Sequence, residues 1–291
     1  MKKKKSCLAP DRNTKTPVYE SMKNACDAHC HVFGPHEVFP YSSKATYWPP
    51  DTAEVDLRKM HDKIGITRAV LVQASCHGTD NSAMINAIQN DPKRYKGVCI
   101  ADGSFTDEDF KYLDENGVKG VRFNFVTHLG GAPDLEMMES VINKVIPLGW
   151  HLVIHVNAED IIQYASFFEK FDLPIVVDHM GRVPTPKGVE QEAYKILCDF
   201  MQKPNWWVKI SGAERIGTQP PFYDAIPYAQ GLVSIAPDRI LWGTDCPHPN
   251  IKEHMPNDAD LLDLFPLMVP DPKLQKKILV DNPARLYGFE E

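Results

Sequence analysis

Eight times along this chain a short aliphatic run gives way to a longer stretch with apolar residues at helical spacing, and that alternation constrains the fold more than any other feature. The runs fall at residues 25–31, 69–73, 97–101, 120–125, 151–155, 174–179, 206–211 and 239–245. Helical patterns between them cover 55–64, 81–90, 106–116, 135–146, 158–171, 190–202 and 223–235, and closing helices follow the last run. Thr106 stands where an N-cap belongs, with acids in the turn after it. Runs that stay apolar on both faces indicate a parallel sheet covered by helices. Eight such units in 291 residues suit a (β/α)8 TIM barrel of the α/β class. A doubly wound open sheet would want a G-x-G-x-x-G phosphate turn after an early strand, and there is none. Residues 25–291 therefore read as a single barrel domain and 1–24 as an N-terminal tail.

Composition narrows the function classes. A net charge of -7 argues against a nucleic-acid surface. The basic run from Lys2 to Lys5 has no apolar segment behind it, so it reads as a solvated tail and not as a signal peptide. No apolar run reaches the roughly 18 residues of a membrane span. Seven cysteines, scattered without paired spacing, suit reduced thiols in a cytoplasmic enzyme, and Cys30, Cys76 and Cys246 read as small buried residues. The long irregular stretch from Phe33 to Asp51 reads as a cover over a site.

In a barrel of this kind chemistry collects at the carboxyl ends of the strands. Those ends carry His29 and His31, Gln73 and His77, Arg122 and Asn124, His155, His179 and Arg182, Ser211 and Arg215, then Asp245, His248 and Asn250. Any one of these taken singly reads as well as a satisfied core or rim residue. Their common position makes a site. In an extended strand His29 and His31 point the same way. With His155, His179 and Asp245 they are metal ligands or proton carriers. Arg122, Arg182 and Arg215 have the planar forks that bind carboxylates, so three of them in an acidic chain imply an anionic substrate with more than one carboxylate.

Five motifs carry a family resemblance: Asp27 to Pro35 (DAHCHVFGP), Gln73 to Asn81 (QASCHGTDN), Arg122 to Phe125 (RFNF), Asp178 to Arg182 (DHMGR) and Trp242 to Asn250 (WGTDCPHPN). The chain resembles the amidohydrolase superfamily and, within it, the 2-pyrone-4,6-dicarboxylate lactonases, over about residues 25–287. The resemblance implies a (β/α)8 barrel that hydrolyses a dicarboxylated lactone in aromatic-acid catabolism. It implies that Asp245 activates water, that His29, His31 and His179 polarise the carbonyl, and that Tyr47, His77, Arg122, Arg182, Arg215, His248 and Asn250 line the substrate pocket.

His155 departs from that pattern, because the pyrone lactonases carry a tyrosine there and work without a metal. Histidine restores the ligand set of the metal-dependent relatives, His29, His31, His155 and Asp245, which fits Zn²⁺ or Mn²⁺ with an open water position. The alternative is that His155 hydrogen-bonds the substrate and no cofactor is needed. Three other functions stay open: a hydrolase or isomerase of another lactone (sugar-acid, sulfo- or carboxymuconolactone), a metal-dependent decarboxylase on the same fold, and a binding protein without activity. The partner in the lactonase reading is a small anionic lactone, with neither nucleic acid nor membrane. Oligomeric state is not legible.

Overall fold

The computed structural model describes residues 5–290, so Lys2 to Lys4 and Glu291 lie outside the described residues. Eight parallel strands pair in sequence order: β1 (Cys26–Cys30), β2 (Arg68–Val72), β3 (Tyr95–Cys99), β4 (Val118–Asn124), β5 (His151–His155), β6 (Ile175–Val177), β7 (Trp206–Lys209) and β8 (Ile240–Leu241). Between and after them stand α1 (Glu54–Ile64), α2 (Ser82–Asn90), α3 (Asp107–Glu115), α4 (Leu135–Val145), α5 (Ala158–Phe168), α6 (Glu192–Met201), α7 (Ile226–Ile235) and α8 (Asp258–Met268). This is the (β/α)8 arrangement expected. Each helix buries one apolar stripe against the strands, as Val141, Ile142 and Val145 do on α4. Thr106 caps α3 in a reciprocal capping box with Asp109.

Two strands fall short of their apolar runs by three residues or more. The chain leaves the ladder after Val177 and after Leu241, and the segments beyond turn sharply enough to put several non-glycine residues at positive φ. β3 begins two residues earlier than the run at 97–101, because Tyr95 is buried and its hydroxyl donates to Glu54 Oε1 at 2.8 Å.

β8 and β1 meet without a regular ladder. Their seam is closed by Ala28 N–H to Trp242 O, Asp245 N–H to His29 O and His31 N–H to Cys246 O, all 2.8 Å. Asp27, fully buried in β1, locks this seam with its carboxylate. Oδ1 accepts from the backbone N–H of His29 and of Thr244, each at 3.0 Å, while Oδ2 accepts from the Thr244 hydroxyl at 2.5 Å. His61 Nε2 on α1 lies 3.0 Å from the same Oδ2. Gly243 permits the approach, since a Cβ there would stand 2.6 Å from the His29 nitrogen.

The stretch expected as a tail is tied to the barrel in its described part. Lys5–Ser6 pairs in parallel with Tyr47–Trp48 of the cover. Lys15 N–H donates to Asn257 Oδ1 at 3.1 Å and Tyr19 N–H to Asp263 Oδ1 at 2.7 Å. Two of these contacts join residues more than 240 positions apart, which no local sequence pattern marks. The cover is held at its base by an antiparallel bridge of Phe33 with Thr52. Cys30, Cys76 and Cys246 are buried, and among the described residues no disulfide joins the cysteines. Among the described residues no helix is long and apolar enough to cross a membrane.

Asp27→Ala strips a buried partner from two backbone N–H groups and a hydroxyl at the seam. A loss on the order of 3–5 kcal/mol is expected, read as a lower urea midpoint at unchanged slope.

Candidate active site

The strand ends converge as expected. His31, Tyr47, Arg122, His155, His179, Arg182, Arg215, Asp245 and Asn250 line one pocket, together with Ser75 and with His128 and Leu129 from the turn after β4. Its cavity is about 30 Å³, space for about two waters. A ring-sized substrate therefore needs the turn, the cover or Arg215 to shift.

Asp245 is the centre of the pocket. Its Oδ1 stands 3.2 Å from His31 Nε2 and 3.6 Å from His29 Nε2, and its Oδ2 is 3.8 Å from His179 Nε2. Arg215 donates to the same Oδ2 from Nε at 2.8 Å and Nη2 at 2.6 Å, while its Nη1 donates to Pro249 O at 2.8 Å. Burial opposes the charge on Asp245, but Arg215 first and then the histidines outweigh it, holding the carboxyl well below its ordinary range. It is ionised at neutral pH.

Each imidazole is oriented from behind. His31 Nδ1 lies 2.7 Å from Val72 O, an acceptor, so Nδ1 carries a proton. In neutral His31 the lone pair on Nε2 then faces a carboxylate oxygen, and a proton or a cation has to stand between them. His179 Nδ1 pairs with Ser211 Oγ at 2.9 Å, and His29 Nδ1 lies 3.1 Å from Asp178 Oδ1 and 3.0 Å from Lys209 Nζ. Gly212 makes room for His179, because a Cβ there would be 2.7 Å from that of the histidine. Burial pushes His179 down to about 4, and burial, then Lys209, pushes His29 well below the usual imidazole range. Both are neutral at pH 7.

His155 sits on the wall with neither ring nitrogen hydrogen-bonded. Burial and the charges of Arg122 and Arg182 hold it neutral. The donor atoms of His29, His179 and Asp245 lie within 4.8 Å of one another, and His155 is not in that group. Its ring centroid is 5.6 Å from that of His179.

The arginines differ in what they have left to offer. Arg215 is spent on Asp245 and Pro249. Arg122 gives Nε to Asp178 Oδ2 at 2.8 Å and Arg182 gives Nε to Asn157 Oδ1 at 3.1 Å, so the outer nitrogens of both remain for a ligand. Burial first, then the neighbouring Arg215, lowers Arg182 to about 10, although Asp245 and Glu214 pull the other way.

Two expected wall residues stand off the wall. His77 packs edge-on against Tyr41 of the cover, with centroids 4.8 Å apart. His248 is turned away by Asp258, whose Oδ1 lies 3.0 Å from its Nε2. Sequence reasoning did not single out Asp178, Lys209, Glu214 or His128. Asp178 sits inside a quoted motif, but Lys209 is a lone cation in an apolar strand, and no local pattern marks its pairing with Asp178 Oδ1 at 3.0 Å.

A sequence profile of the amidohydrolase family matches residues 26–289. This chain belongs to the amidohydrolase family. It is 42% identical over 290 residues to a 2-pyrone-4,6-dicarboxylate hydrolase of Comamonas testosteroni, covering 96% of this chain and 95% of that one. It is 39% identical over 286 residues to a 4-sulfomuconolactone hydrolase of Rhizobium radiobacter, covering 97% and 96%. The structure is similar to one from Acinetobacter baumannii described as a "probable 2-pyrone-4,6-dicarboxylic acid hydrolase" with citric acid bound, at TM-score 0.80 and 30% identity, covering 91% of this chain and all of that one.

Amidohydrolases of this fold include metal enzymes. His29 Nε2 is buried without a hydrogen-bond partner, and with the Nδ1 atoms engaged the Nε2 faces of His29, His31 and His179 turn toward Asp245. Oriented imidazoles, with His29 and His179 neutral, beside an ionised carboxylate fit a divalent cation. A second compact group, Glu214, Asp245 and His248, does not, because the Arg215 guanidinium already stands against both carboxylates, with Nε 3.4 Å from Glu214 Oε1.

Acid sensitivity of this amidohydrolase follows from His179. Its folded value of about 4 lies below the ordinary 6.5, so the unfolded chain takes up a proton there that the folded chain refuses. The residue's contribution is complete above pH 6.5, falls by about 1.4 kcal/mol per pH unit toward pH 4 and is flat below that. In denaturant titrations across this window His179→Gln is expected to lose stability less steeply than the parent.

Proposed function

We propose that this amidohydrolase opens a carboxylated lactone of the 2-pyrone-4,6-dicarboxylate kind with water deprotonated by Asp245. The observation that carries the reading is one buried, ionised carboxylate placed between three imidazoles and a group of arginines in a single pocket.

Asp245 takes a proton from water as the hydroxide attacks the lactone carbonyl. The developing oxyanion needs donors. In the metal-free site the Ser211 hydroxyl, donating to His179 Nδ1, leaves that imidazole's proton on Nε2, where it can donate to the oxyanion. Collapse of the tetrahedral intermediate expels the ring oxygen, which recovers the proton from Asp245. Arg122 and Arg182 take the carboxylates and fix the carbonyl over the water, the kind of orientation that contributes several kcal/mol. A divalent metal, Zn²⁺ or Mn²⁺, held by His29, His179 and Asp245 beside His31, would polarise the carbonyl and lower the pKa of water from about 15.7 to about 7. His155, between Arg122 and Arg182, serves the substrate in this reading. The citric acid of the Acinetobacter baumannii structure, a tricarboxylate, supports a polycarboxylate ligand. Cysteines without disulfides support a reducing compartment, the cytoplasm.

The Rhizobium radiobacter relative favours a second reading in which the anionic group is a sulfonate on a muconolactone. Acid release measured over 2-pyrone-4,6-dicarboxylate, 4-sulfomuconolactone, a sugar-acid lactone and an uncharged lactone separates the two. The highest kcat/KM is expected on the dicarboxylate and none on the uncharged ring, while carbon dioxide release would identify a decarboxylase. Asp245→Asn is expected to lower kcat by about 10³-fold or more with the melting temperature kept, and near-normal turnover would remove Asp245 as the base. Chelation is expected to remove activity and Zn²⁺ or Mn²⁺ to restore it. Full turnover in protein shown to be metal-free by elemental analysis would assign the polarisation to the imidazoles alone.

A further inference from the structure

Behind the pocket wall runs a file of five buried side chains with charges that alternate in sign: Asp245, Arg215, Glu214, His248 and Asp258. After the Arg215 grip on Asp245, Arg215 Nε stands 3.4 Å from Glu214 Oε1, His248 Nδ1 3.5 Å from the same oxygen, and His248 Nε2 3.0 Å from Asp258 Oδ1. The Glu214 side chain is 1% exposed and that of His248 fully buried, and neither lines the pocket. The far end, Asp258, opens on a separate cavity of about 470 Å³ between the N-terminal arm and α1.

Glu214 is unusual in this row. Among the described residues neither of its oxygens has a well-directed hydrogen bond, and the Arg215 and His248 cations stand beside this buried carboxylate. It lies in a four-residue helix, Ala213–Ile216, directly before Arg215. His248 is suited to the complementary role: burial works against its charge, but Asp258 and Glu214 outweigh that and raise it to about 10.

We propose that Glu214 and His248 are positioning residues that divide the Arg215 guanidinium between two carboxylates, and so set how tightly it grips Asp245, without touching substrate. This rests on Asp245 being the base. With Glu214 in place the guanidinium is shared, 2.8 Å and 2.6 Å from Asp245 Oδ2 and 3.4 Å from Glu214 Oε1. In Glu214→Gln the second partner loses its charge and the guanidinium shifts onto Asp245, which moves the carboxylate from its place beside the water. Without His248, Glu214 is uncompensated and pulls the guanidinium away, so Asp245 loses its orientation. His248 therefore acts only through Glu214.

The test is a double-mutant cycle with Glu214→Gln and His248→Asn in the full chain, assayed on the lactone that the parent turns over best. Each single variant is expected to lower kcat by about 10- to 100-fold with KM within about threefold of the parent. The double variant is expected to be as slow as Glu214→Gln and no slower. Multiplying effects would overturn the proposal, as would parental kcat in either single variant, or a KM that rises with His248→Asn, which would make His248 a substrate contact. Should Glu214→Gln fail to fold, Asp258→Asn addresses the file from its far end: a lower kcat at constant KM supports the proposal and an unchanged kcat overturns it. If Asp245→Asn keeps its turnover, the base itself is wrong and the proposal falls with it, whereas Asp245-dependent turnover with a parental Glu214→Gln rate removes the positioning role alone.

Discussion

Everything at the active end of this barrel depends on how β8 is joined to β1. The two strands are too short at the seam to form a ladder, and the Asp27 carboxylate takes over that task by accepting from both chains. The residues it ties are Thr244, one before Asp245, and His29. A single buried acid thus closes the barrel and holds Asp245 beside His29 and His31. Closing the ring and assembling the chemistry are the same physical event, which is why Gly243 has no room for a side chain.

A second buried acid organises the floor beneath the pocket. Asp178 meets Lys209, His29 and Arg122, and although burial opposes its charge, these neighbours hold it well below the usual carboxylate range. Such a cluster is costly to bury and adds little stability over apolar packing. What it supplies is orientation: it aims one histidine at Asp245 and one arginine at the place where a carboxylate would lie.

The backbone around the site carries strain in the same sense. His179, Met180, Arg182, Asp245, His248 and Asn250 all have φ between 49° and 66°, a region that costs a side chain about 1–2 kcal/mol each. These turns end β6 and β8 early and bring His179, Arg182, Asp245 and Asn250 to the pocket, and the buried ion pair of Asp245 with Arg215 holds the second turn there. Rigid geometry is the return on that strain.

The sequence by itself determined the eight-stranded barrel and most of the residues that line the pocket at its carboxyl end. Apolar runs and helical spacing are local properties, and a polar group at the end of an apolar run is visible without knowing what it faces. His31, Arg122, His155, His179, Arg182, Arg215 and Asp245 were legible for that reason, and Tyr47 through motif likeness. Only the tertiary structure decided who faces whom. It placed His179 in the compact donor group with His29 and Asp245, set His155 on the wall, and turned His77 and His248 away from the pocket. It also showed the N-terminal arm on the barrel and the pairing of Lys209 with Asp178. These outcomes rest on contacts such as Asp27 with Thr244 and His29 with Asp178, which join residues 217 and 149 positions apart. Burial and the balance of charge act across such distances in sequence, and a one-dimensional pattern carries no trace of them.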